Sequence, residues 1–166
     1  VPEGNYRVTV ALGDEAEASA TTVKAEARRL MLENVRASKG ETATRAFAVN
    51  VRVPRIADYD AVRLKQRERE TEQMTWDDKL TLEFNGARPC LRTLVIAPAP
   101  EAPTVFLAGD STVCDQPLEP WNSWGQMLPR FFSPAVAVAN YAQSGESIKS
   151  SLAAKRFDKI FSAMKP

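Results

Sequence analysis

Histidine is absent from this 166-residue sequence, although a chain of this length would be expected to contain a few. Histidine is the usual general base in serine-dependent hydrolysis, so any mechanism of that kind must take its base from elsewhere. An excess of charge is also lacking, because 22 basic residues stand against 21 acidic ones. This balance gives no electrostatic reason to expect nucleic acid or an anionic membrane as a partner.

Three further features are scarce or missing. No apolar run approaches the length that crosses a bilayer, and Val1–Gly4 lacks the basic and apolar regions of a signal peptide. If the protein is secreted, its export signal was removed or lies outside these residues. Cys90 and Cys114 could form one bridge or could both be free and buried, which is the commoner state, and neither has metal-ligand spacing.

The content of the chain is that of a soluble globular protein, with 44% hydrophobic and 26% charged residues. Its first half has the period of two that is typical of strands. Tyr6–Leu12 alternates apolar and polar residues, Phe47–Val53 does so up to Pro54, and Leu80–Phe84 does so before the turn dipeptide Asn85–Gly86. Further strands are predicted near residues 21–27, 30–32 and 91–96. Short strands at this spacing favour an antiparallel sandwich.

The stretch from Ile56 to Asp78 is very polar and carries charges of both signs. A run of this kind usually forms a solvated surface, so we interpret it as a helix or excursion facing water. Trp76 or Tyr59 could bind sugar there, although single aromatic residues more often lie in a core or at its rim.

A different pattern follows Pro98–Pro103, where three prolines in six residues predict a stiff linker. Thr104–Ala108 is a continuous apolar run, typical of a parallel strand that is buried on both faces. The later elements are predicted as a helix over 121–132 with Trp124, Leu128 and Phe131 on one side, a strand over 135–139, and a helix over 147–164 that Ser147 caps. This β-α-β-α order predicts the start of a doubly wound α/β domain.

Both ends of the sequence suggest a piece of something longer. A helix is followed at once by Lys165–Pro166, although two parallel strands cannot make a covered sheet and a third should come next. Val1 leads almost directly into a strand. We therefore expect both halves to be truncated.

Gly109-Asp110-Ser111 follows the first predicted parallel strand at once. The carboxyl end of such a strand opens onto the ligand crevice of an α/β sheet, and glycine permits a tight turn there. A serine just past it can direct its hydroxyl into the crevice while its N–H helps to hold an oxyanion. Taken alone, the tripeptide favours an ordinary turn at the end of a strand, in which Asp110 bonds its own backbone and Ser111 is solvated.

The wider pattern resembles the opening of the SGNH/GDSL hydrolase superfamily, most closely its rhamnogalacturonan acetylesterase-like branch. The resemblance rests on residues 104–113, on Trp121-Asn-Ser-Trp-Gly-Gln and on Asn140-Tyr-Ala-Gln-Ser-Gly-Glu-Ser, and it extends over residues 104–166. It implies a flavodoxin-like α/β hydrolase domain in which Ser111 is the nucleophile and an oxyanion N–H donor. Gly145 would then supply a second oxyanion N–H. No metal and no cofactor are implied.

Residues 1–97 resemble the galactose-binding-like β-sandwich that often precedes such esterases, on Gly4-Asn-Tyr-Arg-Val-Thr-Val and Arg29-Leu-Met-Leu-Glu. Such a sandwich either binds sugar or only packs beside the catalytic domain. The expected organisation is therefore an incomplete sandwich over 1–97, a linker over 98–103 and the first part of a hydrolase domain over 104–166, with contact between the two domains.

The sequence departs from the family pattern in its later blocks. The family's oxyanion asparagine and its Asp-x-x-His block, which supplies the base and the acid that orients it, are not in this chain, and we expect them beyond Pro166. Asn140 precedes the second block and Asp158 lies in a predicted helix, so neither is a substitute, and Asp110 belongs to the nucleophile turn. The 166 residues alone are therefore predicted to be inactive.

The resemblance implies an extracellular or periplasmic esterase that removes acetyl groups from plant cell-wall polysaccharide, with no nucleic acid or membrane partner. Two alternatives remain open. One is a GDSL-type lipase or esterase with another substrate, and the other is a carbohydrate-binding module with no catalytic task.

Overall fold

The computed structural model describes residues 1–164 and shows a mixed α/β chain built from several small sheets and short helices. The strands are β1 (Gly4–Leu12), β2 (Ser19–Ala25), β3 (Arg29–Ala37), β4 (Ala43–Val51), β5 (Arg55–Ala57), β6 (Asp60–Ala61), β7 (Leu82–Arg88), β8 (Leu91–Pro98), β9 (Thr104–Leu107) and β10 (Ala137–Asn140). The helices are α1 (Gln66–Glu70), α2 (Trp124–Met127), α3 (Ile148–Ala153) and α4 (Arg156–Ala163), with 3₁₀ turns at Gln73–Thr75 and Leu128–Phe131.

Two antiparallel sheets, ordered β4-β1-β8 and β3-β2-β7, make up most of the first half. Alternation in β1 gives it one fully buried side, formed by Val8, Val10 and Leu12. These side chains share one core with apolar residues of both sheets, among them Val23 of β2 and Phe47 of β4. Removal of this apolar surface from water is the main stabilisation of the two sheets, worth about 1.5–3 kcal/mol for each large side chain that is fully buried.

The predicted turn at Asn85–Gly86 is wrong, because β7 continues through both residues to Arg88. Gly86 has φ +129° and lies opposite a register shift between Ala20 and Thr22 of β2. A Cβ atom at Gly86 would lie 2.5 Å from the Ala20 carbonyl oxygen. The glycine therefore makes a bulge inside the strand, a conformation that it adopts without steric cost.

The second half is organised around β9 and β10, which pair in parallel from Ala137 opposite Thr104 to Asn140 opposite Leu107. One face of this pair packs on Trp76, Val62 and Ile160, and the other packs on Val113 and the Cys114 thiol. The run at 104–108 is thus a parallel strand, as its continuous apolar character predicts.

The two predicted helices of this half are shorter than the sequence pattern indicates. The first is reduced to α2, with Trp121 outside it, and a 3₁₀ turn follows. The second is divided by Lys155, whose φ of +59° ends α3 before α4 begins. Ser147 caps α3 as predicted, since its side chain accepts the Ser150 N–H and Ser150 returns a bond to Ser147.

The polar stretch from Ile56 to Asp78 is not only the solvated surface predicted above. It contains β6 and α1 and supplies the buried Trp76, whose ring meets Tyr141 edge to face at 5.6 Å between centroids. Trp76 is therefore a core residue, and Tyr59 is fully exposed. Both cysteines are free thiols, with Cys114 buried and Cys90 partly buried.

Candidate active site

The carboxyl ends of β9 and β10 bring two loops side by side. The Tyr141 N–H donates to the Leu107 carbonyl at 2.8 Å, and the Gln143 N–H donates to the Gly109 carbonyl at 3.1 Å. The parallel pairing therefore continues past the strands as far as the loop that carries Ser111. Such an edge is where open α/β sheets bind their ligands.

Ser111 opens a tight turn that its neighbour Asp110 organises. The Asp110 carbonyl accepts the N–H groups of Val113 and Cys114, at 3.1 and 2.9 Å, and its carboxylate accepts the N–H and hydroxyl of Thr112. The Thr112 N–H, followed by its hydroxyl, lowers the pKa of Asp110 below the usual value. Asp110 is thus a turn-forming residue, as the sequence predicts.

The Ser111 side chain is exposed on an open cleft of about 780 Å³. Its backbone carbonyl accepts Gln116 Nε2 at 2.9 Å. Within residues 1–164, the Ser111 hydroxyl has no hydrogen-bond partner, so it is free to meet a ligand. The cleft is lined by Ser111, Thr112, Gln116, Trp121, Asn122, Ser123, Trp124, Met127 and Ser144.

The second loop reaches the same cleft through Ser144. Its hydroxyl lies 3.3 Å from the Cys114 thiol, which belongs to the turn after Ser111. Gly145 follows with φ +71°, a left-handed conformation that glycine adopts at no steric cost. Gly145 is exposed and stands next to a cleft-lining residue, although it is not itself among the lining residues.

The peptide unit that joins Ser144 to Gly145 is oriented by two cations. Lys65 Nζ donates to the Ser144 carbonyl at 2.9 Å, and the Arg67 guanidinium donates to the same oxygen. In a trans peptide the C=O and the following N–H point in opposite directions. The Gly145 N–H therefore points away from both cations. Two charge-assisted bonds to the Ser144 carbonyl, which belongs to the same peptide unit, strengthen this N–H as a donor.

Glu146 fixes the far side of this loop. Its side chain is 2% exposed, 2.9 Å from Lys65 Nζ and 3.8 Å from Arg156 Nε, and it accepts the Ser150 hydroxyl. Burial alone would raise the pKa of Glu146. The hydrogen bonds from Ser150 and Lys65 and the charge of Arg156 outweigh burial and lower that pKa.

Glu68 of α1 anchors Arg156, the cation that lies beside Glu146. Its buried carboxylate pairs with Arg156 through two bonds of 3.0 and 2.7 Å and also accepts Trp76 Nε1 at 2.8 Å. Burial acts to raise the pKa of Glu68, but the hydrogen bonds and charge of Arg156 give a net lowering. Part of the charged run predicted to face water is therefore a buried support for the Ser144–Gly145 loop.

Asn140 and Asp158 occupy structural positions. Asn140 is fully buried, donates to the Val113 carbonyl and to Asp115, and accepts the Ala142 N–H. Asp158 is exposed in the first turn of α4. Neither is among the residues that line the cleft.

Sequence reasoning missed the buried ion pair behind the Ser111 turn. Asp115 Oδ2 accepts Arg29 Nε at 2.7 Å, and both side chains are 1% exposed. Arg52 lies 3.9 Å from the same carboxylate and places its guanidinium over the Trp76 ring at 4.8 Å. Burial, followed by repulsion from Arg29, lowers the pKa of Arg52 to about 10. No local signal marks Asp115, because its partners lie far away in the sequence.

Residues 1–164 offer no candidate for a metal site or for a membrane-spanning helix. No group of three or more His, Cys, Asp or Glu side chains could hold a metal ion there. Among the helices of the same residues, none has both the length and the apolar character needed to cross a membrane.

The chain is similar in part to a curated protein and to a solved structure. No family model matches the chain. It is 50% identical over 48 residues to rhamnogalacturonan acetylesterase RhgT of Bacillus subtilis strain 168, a match that covers 28% of this chain and 21% of that protein. The crystal structure of protein YxiM from Bacillus subtilis is similar at 25% identity and a TM-score of 0.39, over 93% of this chain and 40% of that one.

Proposed function

We propose that this chain is the front part of a longer serine esterase in which Ser111 is the nucleophile. One observation carries the proposal. Two successive parallel strands end at the same edge, and their loops present Ser111 and Ser144 to a single cleft. A nucleophilic hydroxyl and a backbone N–H donor must lie close together in any acyl-transfer site.

The roles follow from the chemistry of ester hydrolysis. Ser111 Oγ attacks the acyl carbonyl, and the N–H groups of Ser111 and Gly145 hold the oxyanion that develops. A histidine base, its orienting aspartate and an oxyanion asparagine would come from residues outside these 166. The base takes the serine proton, gives it to the departing alcohol, and then activates the water that releases the acid from the serine.

The substrate we propose is an acetyl ester on pectic polysaccharide. Support comes from the 50% identity to a protein named as a rhamnogalacturonan acetylesterase, although the chain spans only 21% of that protein's length. The cleft lining also includes Asn122 and the exposed Trp121 and Trp124, which are 68% and 53% exposed. Flat apolar faces beside a hydrogen-bonding amide suit a sugar ring. Because the polymer is too large to enter a cell, the enzyme would act extracellularly or in the periplasm.

The test compares this chain with the longer protein. We expect the longer protein to release acetate from acetylated rhamnogalacturonan and residues 1–166 to release none at an enzymatic rate, because a serine hydroxyl is a poor nucleophile without an adjacent base. Acetate release is measured enzymatically, with the deacetylated polymer as the control.

Three outcomes would contradict parts of this proposal. Activity of residues 1–166 alone would show that no external base is needed. Hydrolysis confined to long-chain acyl esters would replace the acetylesterase with a lipase. Binding of the polymer by the longer protein without any ester hydrolysis would favour a carbohydrate-binding module.

A further inference from the structure

The turn between β2 and β3 contacts the Ser111 cleft from the first half of the chain. Glu26 and Arg28 both have left-handed backbone angles, with φ of +54° and +63°. The turn is closed by the Arg28 N–H donating to the Glu26 carbonyl at 2.8 Å, and Glu26 N–H donates to Thr81. From this turn the Arg28 side chain extends towards residues 116–122.

The Arg28 guanidinium has four acceptors, and all of them belong to that segment. Nη1 donates to the carbonyls of Gln116 and Trp121, each at 3.2 Å, and Nη2 donates to Glu119 Oε1 and Asn122 Oδ1 at 3.2 and 3.4 Å. The side chain is only 12% exposed. Three of these four partners, Gln116, Trp121 and Asn122, line the cleft.

A second contact joins the same turn to the same segment. Gln126 is fully buried, and its Nε2 donates to the Ala27 carbonyl at 2.7 Å and to the Gln116 carbonyl at 2.9 Å. Gln116 in turn donates its side chain to the Ser111 carbonyl at 2.9 Å. A continuous set of hydrogen bonds therefore runs from the β2–β3 turn through Gln116 to the backbone of Ser111.

We infer that Arg28 is a positioning residue for the ester site, an inference that rests on the proposed function. Arg28 directly fixes Trp121 and Asn122, which we call the Trp121 wall of the cleft. It fixes the Ser111 backbone indirectly, because Gln116 is bonded both to Arg28 and to the Ser111 carbonyl. The first half of the chain is then a structural part of the active site. Arginine suits this task because its planar fork offers five donors in fixed directions, whereas the ammonium of lysine is a single point charge.

The experiment uses the longer protein with Arg28→Ala and Arg28→Lys. The control is Arg130→Ala, which removes another arginine contact between the two halves, at 3.7 Å from Glu33, without touching residues 116–122. Hydrogen exchange is followed over residues 111–122, and kcat and KM are measured on acetylated polysaccharide and on a small acetyl ester.

We expect Arg28→Ala to speed hydrogen exchange selectively in residues 111–122 and to lower kcat/KM on the polysaccharide by about 10- to 100-fold, since small misplacements in a site have costs of this size. The loss should be smaller on the small ester, which does not span the Trp121 wall. Arg28→Lys keeps the charge and the fold and should recover only part of the loss. Arg130→Ala should stay within about twofold of wild type, because its exposed ion pair contributes little.

Two results would overturn the inference. One is wild-type kinetics in both Arg28 variants. The other is faster exchange spread evenly over the whole chain, which would show a general loss of stability. A wild-type protein that hydrolyses neither ester would instead defeat the proposed function, so the two failures are distinguishable.

Discussion

Replacement of Ser111 by alanine in the longer protein will lower kcat on an acetyl ester by about 10⁴- to 10⁶-fold, the loss expected when a catalytic nucleophile is removed. The physical reason is that no acyl-enzyme can form without Oγ, and the remaining oxyanion donors and binding contacts give only a small residual rate. Because the Ser111 side chain is exposed and bonds to no other group in residues 1–164, the substitution should leave stability nearly unchanged.

The matched control is Ser147→Ala, another exposed serine close to the same loops. It removes the cap of α3 and costs about 1 kcal/mol of stability, yet it should retain wild-type kcat. Ser144 also lines the cleft, so the variant Ser144→Ala tests whether the nucleophile is assigned to the right serine. If Ser144→Ala abolished hydrolysis and Ser111→Ala did not, the nucleophile would be misassigned.

Replacement of Asp115 by alanine will lower the free energy of unfolding by about 3–5 kcal/mol, because it leaves a buried charge without its partner. The side chains of Arg29 and Arg52 are 1% and 2% exposed, so water cannot replace the lost carboxylate. Glu26 also attracts both guanidinium groups, but burial raises its pKa and so disfavours the charged form. Urea denaturation of this chain, followed by tryptophan fluorescence, to which the buried Trp76 contributes, measures the change.

The control for Asp115 is Glu15→Ala, which breaks an exposed ion pair with Arg92. That change should cost about 1 kcal/mol or less, because water and salt screen such pairs. Asp115→Asn keeps an oxygen that can accept the Arg29 bond but removes the charge, so its cost should lie between the other two. Equal stabilities for Asp115→Ala and Glu15→Ala would contradict the structural role assigned to this pair.

The sequence predicts those strands whose pattern is local and unambiguous. Alternating apolar and polar residues predict β1 and β4, because a strand that is buried on one face has apolar residues at every second position. A continuous apolar run predicts β9 as a parallel strand, because such a strand is covered on both faces. The position of Ser111 just after β9 follows from the same reasoning. Its catalytic role, and that of Gly145, stays a prediction.

Two elements are predicted wrongly from the sequence, for physical reasons that lie outside the local residue pattern. Asn85–Gly86 has the composition of a hairpin turn. The positive φ angle that glycine can adopt in such a turn also permits the bulge that Gly86 forms within β7. The single helix predicted over 147–164 is divided because Lys155 adopts a left-handed angle, which no residue preference would indicate. In both places, contacts with distant strands and loops decide between two conformations that the sequence allows.

The support around the site could not be predicted, because its ion pairs join distant parts of the chain. Glu68 meets Arg156 and Asp115 meets Arg29 across more than 80 residues each. In the sequence these four residues look like ordinary surface charges. Only the fold shows that they are buried and that one pair supports the Gly145 loop and the other the Ser111 turn.

The most direct measurement is covalent capture of the nucleophile in the longer protein. The protein is treated with a fluorophosphonate, which reacts with activated serines and mimics the tetrahedral intermediate, and is then digested and mapped by mass spectrometry. We predict a single adduct on Ser111, blocked by prior incubation with substrate and absent from residues 1–166 alone. An adduct on another residue, or hydrolysis that continues at the wild-type rate in protein labelled at Ser111, would contradict the account.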